Sequence, residues 1–166
     1  NVSIIGMPGC GKSTVGAALA KRLDKKFVDL DAEIERRTGH NIPDIFAQEG
    51  EAAFRRYETD VLAEVAKSNS QVIACGGGLP TRAEAIAALK ASGVVFWLSR
   101  EPAVIYDTVS MARRPLGQGG KEAFLERFRQ REPIYRRWAD YIIEGHTQAA
   151  EAAGRIAALY ERECQA

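Results

Sequence analysis

The sequence predicts an α/β fold, a single domain in which a parallel sheet is flanked by helices, and three observations predict it. Short β-branched runs alternate with helical stretches along the whole chain, the pattern of strand–helix–strand crossovers. A glycine-rich turn, Gly6-Met7-Pro8-Gly9-Cys10-Gly11-Lys12-Ser13-Thr14, joins the first run to the first helix. At 166 residues, 46% apolar and 27% charged, the chain can bury one sizeable core and has the balance of an ordered globular protein.

Val2-Ser3-Ile4-Ile5 suits a buried strand, and Thr14 to Leu23 suits a helix with Val15, Ala18, Leu19 and Leu23 on one stripe. The turn between them fits the P-loop pattern G-x-x-x-x-G-K-[ST]. Its glycines let successive N–H groups point into one concavity, and the helix N-terminus behind them favours a phosphate chain. In that pattern Pro8, Gly9, Cys10, Gly11, Lys12, Ser13 and Thr14 surround the nucleotide phosphates; Lys12 reaches the β/γ-phosphates and Ser13 ligates Mg²⁺. A chance glycine turn is the plainer reading, and the strand before and helix after argue against it.

Phe27-Val28-Asp29-Leu30-Asp31 reads as a short strand whose period of two puts Asp29 and Asp31 on one side, at the tip where open α/β sheets bind ligands. Asp31 also suits the N-cap of a helix over 32–37, a role that leaves Asp29 unexplained. Gly39 ends that helix, 43–48 is a helical turn, and Glu49-Gly50 breaks the chain before a longer helix over 51–67. Arg55 and Glu58, three apart on it, read in isolation as a solvated ion pair. The next strand, 71–75, runs into Gly76-Gly77-Gly78, where a third glycine points to close backbone approach by a ligand.

Thr81-x-x-Glu84 is a capping-box pattern opening a helix to about residue 91, and 94–98 is the fourth strand. Pro102 opens a helix towards Ser110. Arg113-Arg114-Pro115-Leu116-Gly117-Gln118-Gly119-Gly120 cannot continue it and reads as a mobile, positively charged lid. A helix over 121–131 with Phe124, Leu125 and Phe128 inward is interrupted at Pro133; 141–143 is a last strand and 147–163 a last helix.

A net charge of +1 makes no case for nucleic acid or an anionic membrane surface as partner, and no apolar run approaches the roughly 18 residues of a membrane span. Three cysteines and two histidines fit no zinc or disulfide spacing, so a reducing, cytoplasmic setting is expected. A guanine-specifying N-K-x-D element is absent, which argues against a GTP switch, and a motor ATPase usually needs a longer chain. Aspartates, arginines, triglycine and lid together point to a small-metabolite kinase. Phosphoryl transfer asks the protein to position an acceptor, neutralise charge and exclude water.

Over nearly its whole length the chain resembles the shikimate kinases, through GMPGCGKST, FVDLD, FRRYE (Phe54 to Glu58), CGGG, RRPL and REPIYRR in that order. The resemblance implies a three-layer, nucleoside-monophosphate-kinase-like P-loop fold with a five-stranded parallel sheet of order 2-3-1-4-5. It implies one kinase domain over 1–166, with a substrate-binding helical insertion over 31–62 and a lid over 111–121. The implied reaction is ATP- and Mg²⁺-dependent phosphorylation of the shikimate 3-hydroxyl, on the route to chorismate and aromatic amino acids, by a monomer with small-molecule partners.

By this similarity Asp31 holds the shikimate hydroxyls and orients or deprotonates the attacking one, and Asp29 supports Mg²⁺ through water beside Ser13. Arg55 and Arg136 bind the carboxylate, a use that suits the guanidinium fork. Gly77 and Gly78 lend backbone N–H groups, and Glu58 holds Arg55 or a water. Arg114 enters from the lid to contact the nucleotide and, with Lys12, stabilises the transferring phosphoryl group.

Two positions stand apart. Asp107 replaces the arginine that the family has near adenine, seven residues before the lid arginine. Cys10 lies near a helix N-terminus, which can lower a thiol pKa, though an inert small residue is the plainer reading. The alternatives are a gluconate-type sugar-acid kinase and a non-catalytic shikimate- or quinate-sensing module. The Arg55/Arg136 pair with the triglycine speaks against the first; the set Lys12, Ser13, Asp29, Asp31 and Arg114 speaks against the second.

Overall fold

The computed structural model describes residues 1–109 and 119–165. Strands β1 (Val2–Ile5), β2 (Lys26–Asp29), β3 (Gln71–Ala74), β4 (Val94–Leu98) and β5 (Tyr141–Ile143) alternate with helices α1 (Lys12–Arg22), α2 (Leu30–Thr38), α3 (Ile42–Val65), α4 (Ala83–Ser92), α5 (Pro102–Thr108), α6 (Gly120–Trp138) and α7 (Ala149–Gln165). The strands form one sheet in the order β2-β3-β1-β4-β5, every neighbouring pair parallel. This is the expected order.

β1 is central because it is apolar at almost every position. Ile4 lies between Ala74 and Phe96, and all four of its residues are buried, so helices cover both faces. α1 packs on α7 and β3, while α4 and α6 lie against β4. Trp97, Phe96, Phe124, Tyr135, Ile4 and Ile73 are the large side chains of the core. No helix of the described residues is long and apolar enough to cross a membrane.

Three local expectations are corrected. β2 ends at Asp29, which is itself the N-cap of α2: its Oδ1 accepts from the N–H groups of Asp31 (3.0 Å) and Ala32 (3.2 Å). One carboxylate thus satisfies two orphan donors, and Asp31 falls in the first helical turn instead of extending the strand. The capping box at Thr81 does not form. A 3₁₀ turn over Leu79–Thr81 takes the Thr81 hydroxyl, which donates to Gly78 O at 2.6 Å, and α4 starts after Arg82.

Pro133 does not interrupt α6, which runs through to Trp138. The carbonyl that Pro133 leaves unpaired belongs to Arg129, on an exposed part of the helix where water can serve it. Within residues 42–65 the expected break holds: two helical segments meet at Gly50, whose φ of 83° and ψ of 173° are not helical. Of the expected lid, residues 111–118, with Arg113 and Arg114, lie outside those described.

Candidate active site

The C-terminal ends of β1, β2 and β3 open into a cleft of about 700 Å³, the usual place for a ligand in a parallel sheet. The turn after β1, Asp29 and Asp31 after β2, and residues 75–78 after β3 meet there, walled by Phe46, Phe54 and Arg55 of α3. Arg100, which follows β4, also lines the cleft and was not legible as a site residue in the sequence.

On one side lies the phosphate-binding turn. Gly9 (φ 79°) and Gly11 (φ 102°) adopt left-handed conformations that a side chain would strain. Gly11 caps α1 without a side-chain bond, which leaves the helix's first N–H groups to a ligand. Lys12 Nζ arches back over the turn, donating to Gly6 O (2.9 Å) and Met7 O (2.8 Å). The Ser13 hydroxyl donates to Asp29 Oδ2, so the carboxylate that caps α2 also fixes the P-loop serine.

These two hard oxygen donors fit Mg²⁺, which keeps most of its shell as water and phosphate oxygens; among the described residues no group of three or more His, Cys, Asp or Glu could hold a metal unaided. Cys10 is buried, 1% exposed, which favours the plainer reading of that thiol.

Opposite the turn, Glu58 is fully buried and the surface-pair reading fails. Its Oε2 accepts from Arg55 Nη1 and Arg82 Nη2, each at 2.9 Å, while Arg55 Nη2 also reaches Glu51 Oε1 at 3.2 Å. Burial would lower the Arg55 pKa; the Glu58 and Glu51 carboxylates outweigh it and raise it. A carboxylate removed from water in this way is tolerable only because guanidinium groups hold it.

The triglycine connects the two sides. None of its residues has positive φ, so conformational freedom does not explain it. Protein atoms fill the space instead. A Cβ on Gly76 would stand 2.6 Å from Glu58 Oε1 and 3.1 Å from Asp31 Oδ1; one on Gly77, 2.7 Å from Pro8 Cδ; one on Gly78, 2.5 Å from Arg55 Nη2.

On α6 Arg136 is exposed, pairs with Glu132 at 3.1 Å and lies over the Trp97 ring at 5.3 Å; neither Arg136 nor Arg131 is among the residues that line the cleft. The buried guanidinium of this segment is Arg131, 8% exposed, with Nη1 unpartnered among the described residues. It acts on the hydroxyl of Tyr135, partly offsetting the upward push of burial there, and that hydroxyl donates to Gly77 O at 2.6 Å. The signal was present: Phe124 and Phe128 set the inward face, and seven residues on are 131 and 135, not 136. Asp107, at the position expected near adenine, is paired with Lys121 at 2.8 Å.

Residues 8–161 match the family model described as shikimate kinase. A curated shikimate kinase from Methylococcus capsulatus is 41% identical, covering 98% of this chain and 93% of the relative; one from Clostridium botulinum is 37% identical, covering 93% of each. Among solved structures, a shikimate kinase from Acinetobacter baumannii in complex with shikimate superposes with a TM-score of 0.93 at 38% identity, over 98% of this chain and 93% of that one. A gluconokinase from Sinorhizobium meliloti, at a TM-score of 0.56 and 17% identity over 99% of this chain and 95% of that one, shares the fold alone.

Proposed function

The chain belongs to the shikimate kinase family, and from that premise we propose how its own residues divide the work. It phosphorylates the 3-hydroxyl of shikimate from ATP, giving shikimate 3-phosphate and ADP on the route to chorismate and aromatic amino acids. The observation that carries the assignment is the triglycine turn, packed against the P-loop through Pro8 on one side and against Arg55 and Glu58 on the other. Nucleotide and acceptor would meet across it.

Residues 8–14 cradle the ATP phosphates, with Lys12 exchanging its loop carbonyls for phosphate oxygens. Ser13, with Asp29 through water, would hold Mg²⁺, which when bound would offset negative charge on the ATP phosphates. Arg55 takes the shikimate carboxylate, and Arg131 supplies the second guanidinium in place of Arg136. Gly77 and Gly78 offer N–H groups, and Glu58 fixes Arg55 from within.

Asp31, beside Gly76 and Glu58, orients the attacking hydroxyl and takes its proton as the bond to the γ-phosphorus forms and the bond to the ADP oxygen breaks. Lys12 and Arg114 offset the charge on the group in flight. The same reading carries a single kinase domain over 1–166, an acceptor-binding insertion over 31–62 and a lid over 111–121. It also carries a monomer in the cytoplasm, where free Cys10, Cys75 and Cys164 suit a reducing medium.

ADP release from Mg²⁺-ATP tests the assignment, with shikimate, quinate, gluconate or no acceptor. Release driven by shikimate alone is expected; release driven by gluconate would overturn the carboxylate site.

A further inference from the structure

We propose that Arg82 is a positioning residue of the acceptor site, bracing Arg55 and Glu58 from behind so that the Arg55 guanidinium stays turned towards the acceptor carboxylate. The proposal rests on the reading of Arg55 as the carboxylate clamp. Arg82 stands at the junction of the 3₁₀ turn and α4, where its side chain caps nothing. Every side-chain hydrogen bond it makes among the described residues goes to the turn of α3 that carries Arg55. Nη2 donates to Glu58 Oε2 at 2.9 Å, and Nη1 to the Arg55 carbonyl at 3.2 Å and to the Thr59 hydroxyl. A planar fork makes these bonds from two nitrogens in fixed directions; an ammonium would have to reach all three acceptors from one point.

Charge explains why a second arginine is needed. Glu58 alone with Arg55 would form a neutral buried pair whose fork is already spent on an internal carboxylate. Arg55 and Arg82 share the single oxygen Oε2, so Glu58 is held from both sides, and the other partner of Arg55, Glu51, is exposed and can yield its place to an incoming anion. Gly78, four residues before Arg82 in the same turn, leaves the space that the Arg55 guanidinium fills: a Cβ there would stand 2.5 Å from Arg55 Nη2. Arg82 does not itself line the cleft, so it acts on the acceptor through Arg55.

The test is the shikimate KM at saturating Mg²⁺-ATP for Arg82→Met, Arg55→Met and the double variant, with the neutral methyl ester of shikimate as a second acceptor. Arg82→Met is expected to raise the shikimate KM about tenfold, the worth of one charged hydrogen bond. It should leave kcat, the ATP KM and the ester within about twofold, the signature of lost binding rather than lost chemistry. It should add nothing to Arg55→Met, and Arg82→Lys should recover part of the loss. An unchanged shikimate KM, an equal loss for acid and ester, or a loss additive with Arg55→Met overturns the proposal. Should Arg82→Met fail to fold, Arg82→Lys alone and with Arg55→Met carries the same comparison. If Arg55→Met leaves the shikimate KM unchanged, the clamp assignment itself falls, an outcome distinct from failure of Arg82 alone.

Discussion

Asp29 and Asp31 stand two residues apart and do different work because a helix starts between them. Asp29 spends one oxygen capping α2 and the other on Ser13. Asp31, in the first turn beside Glu58 and Gly76, lines the cleft, and the proposed reading gives it the acceptor hydroxyl. Asp31→Asn is expected to lower kcat on the order of 10²–10⁴ with ATP binding intact, if proton transfer is its task. A near-normal kcat with a raised shikimate KM would reduce Asp31 to positioning. Arg131 and Arg136 of α6 separate in the same manner. Arg131→Met should raise the shikimate KM about tenfold or more, whereas Arg136→Met, which strips an exposed pair, should leave it nearly unchanged. Steady-state kinetics with both variants decides between them.

At the scale of elements, the kink in α3 and the triglycine turn show glycine used for opposite reasons. Gly50 holds φ 83° and ψ 173°, and a Cβ there would meet nothing within 4 Å, so only backbone strain would penalise a side chain. Gly50→Ala is expected to cost about 1–3 kcal/mol, read as a lower Tm, with no clash to relieve. Gly76 has ordinary backbone but no room: a methyl would collide with buried Glu58. Gly76→Ala should therefore damage shikimate binding through Glu58 and Arg55 even where the fold survives, which a KM measurement beside a melting curve would reveal.

For the whole molecule, the helical insertion is tied down by charge as well as by packing. Glu33 of α2 accepts from Arg36 and Arg37, and Arg37 crosses to Glu64 of α3 at 2.6 Å. The Arg36 and Arg37 bonds hold the Glu33 carboxyl at about 2, below its ordinary 4.5. A carboxyl with a lowered native pKa stabilises the fold fully above its unfolded value. That stabilisation is lost as pH falls from about 4.5 through about 2. Glu33→Gln should flatten this part of a Tm-against-pH curve, and an unchanged slope would show the network to be inert.

Sequence by itself determined the class of fold and the glycine-rich turn between β1 and α1, because each is written in local pattern, β-branched runs and glycines at fixed spacing; that Asp29 is the cap and Asp31 already helical was not written there. Its errors were local as well, at Thr81 and Pro133, where a 3₁₀ turn and a solvent-facing carbonyl overrode propensity. Tertiary structure alone decided which charges meet. Glu58 looked like a surface residue until the triglycine turn, far along the chain, covered it and Arg82 reached it from 24 positions away. Arg131 and Arg136 were equivalent letters until α6 docked with one face inward. Burial of charge depends on what other segments bring to it, and residues distant in sequence supply both the cover and the counter-ion.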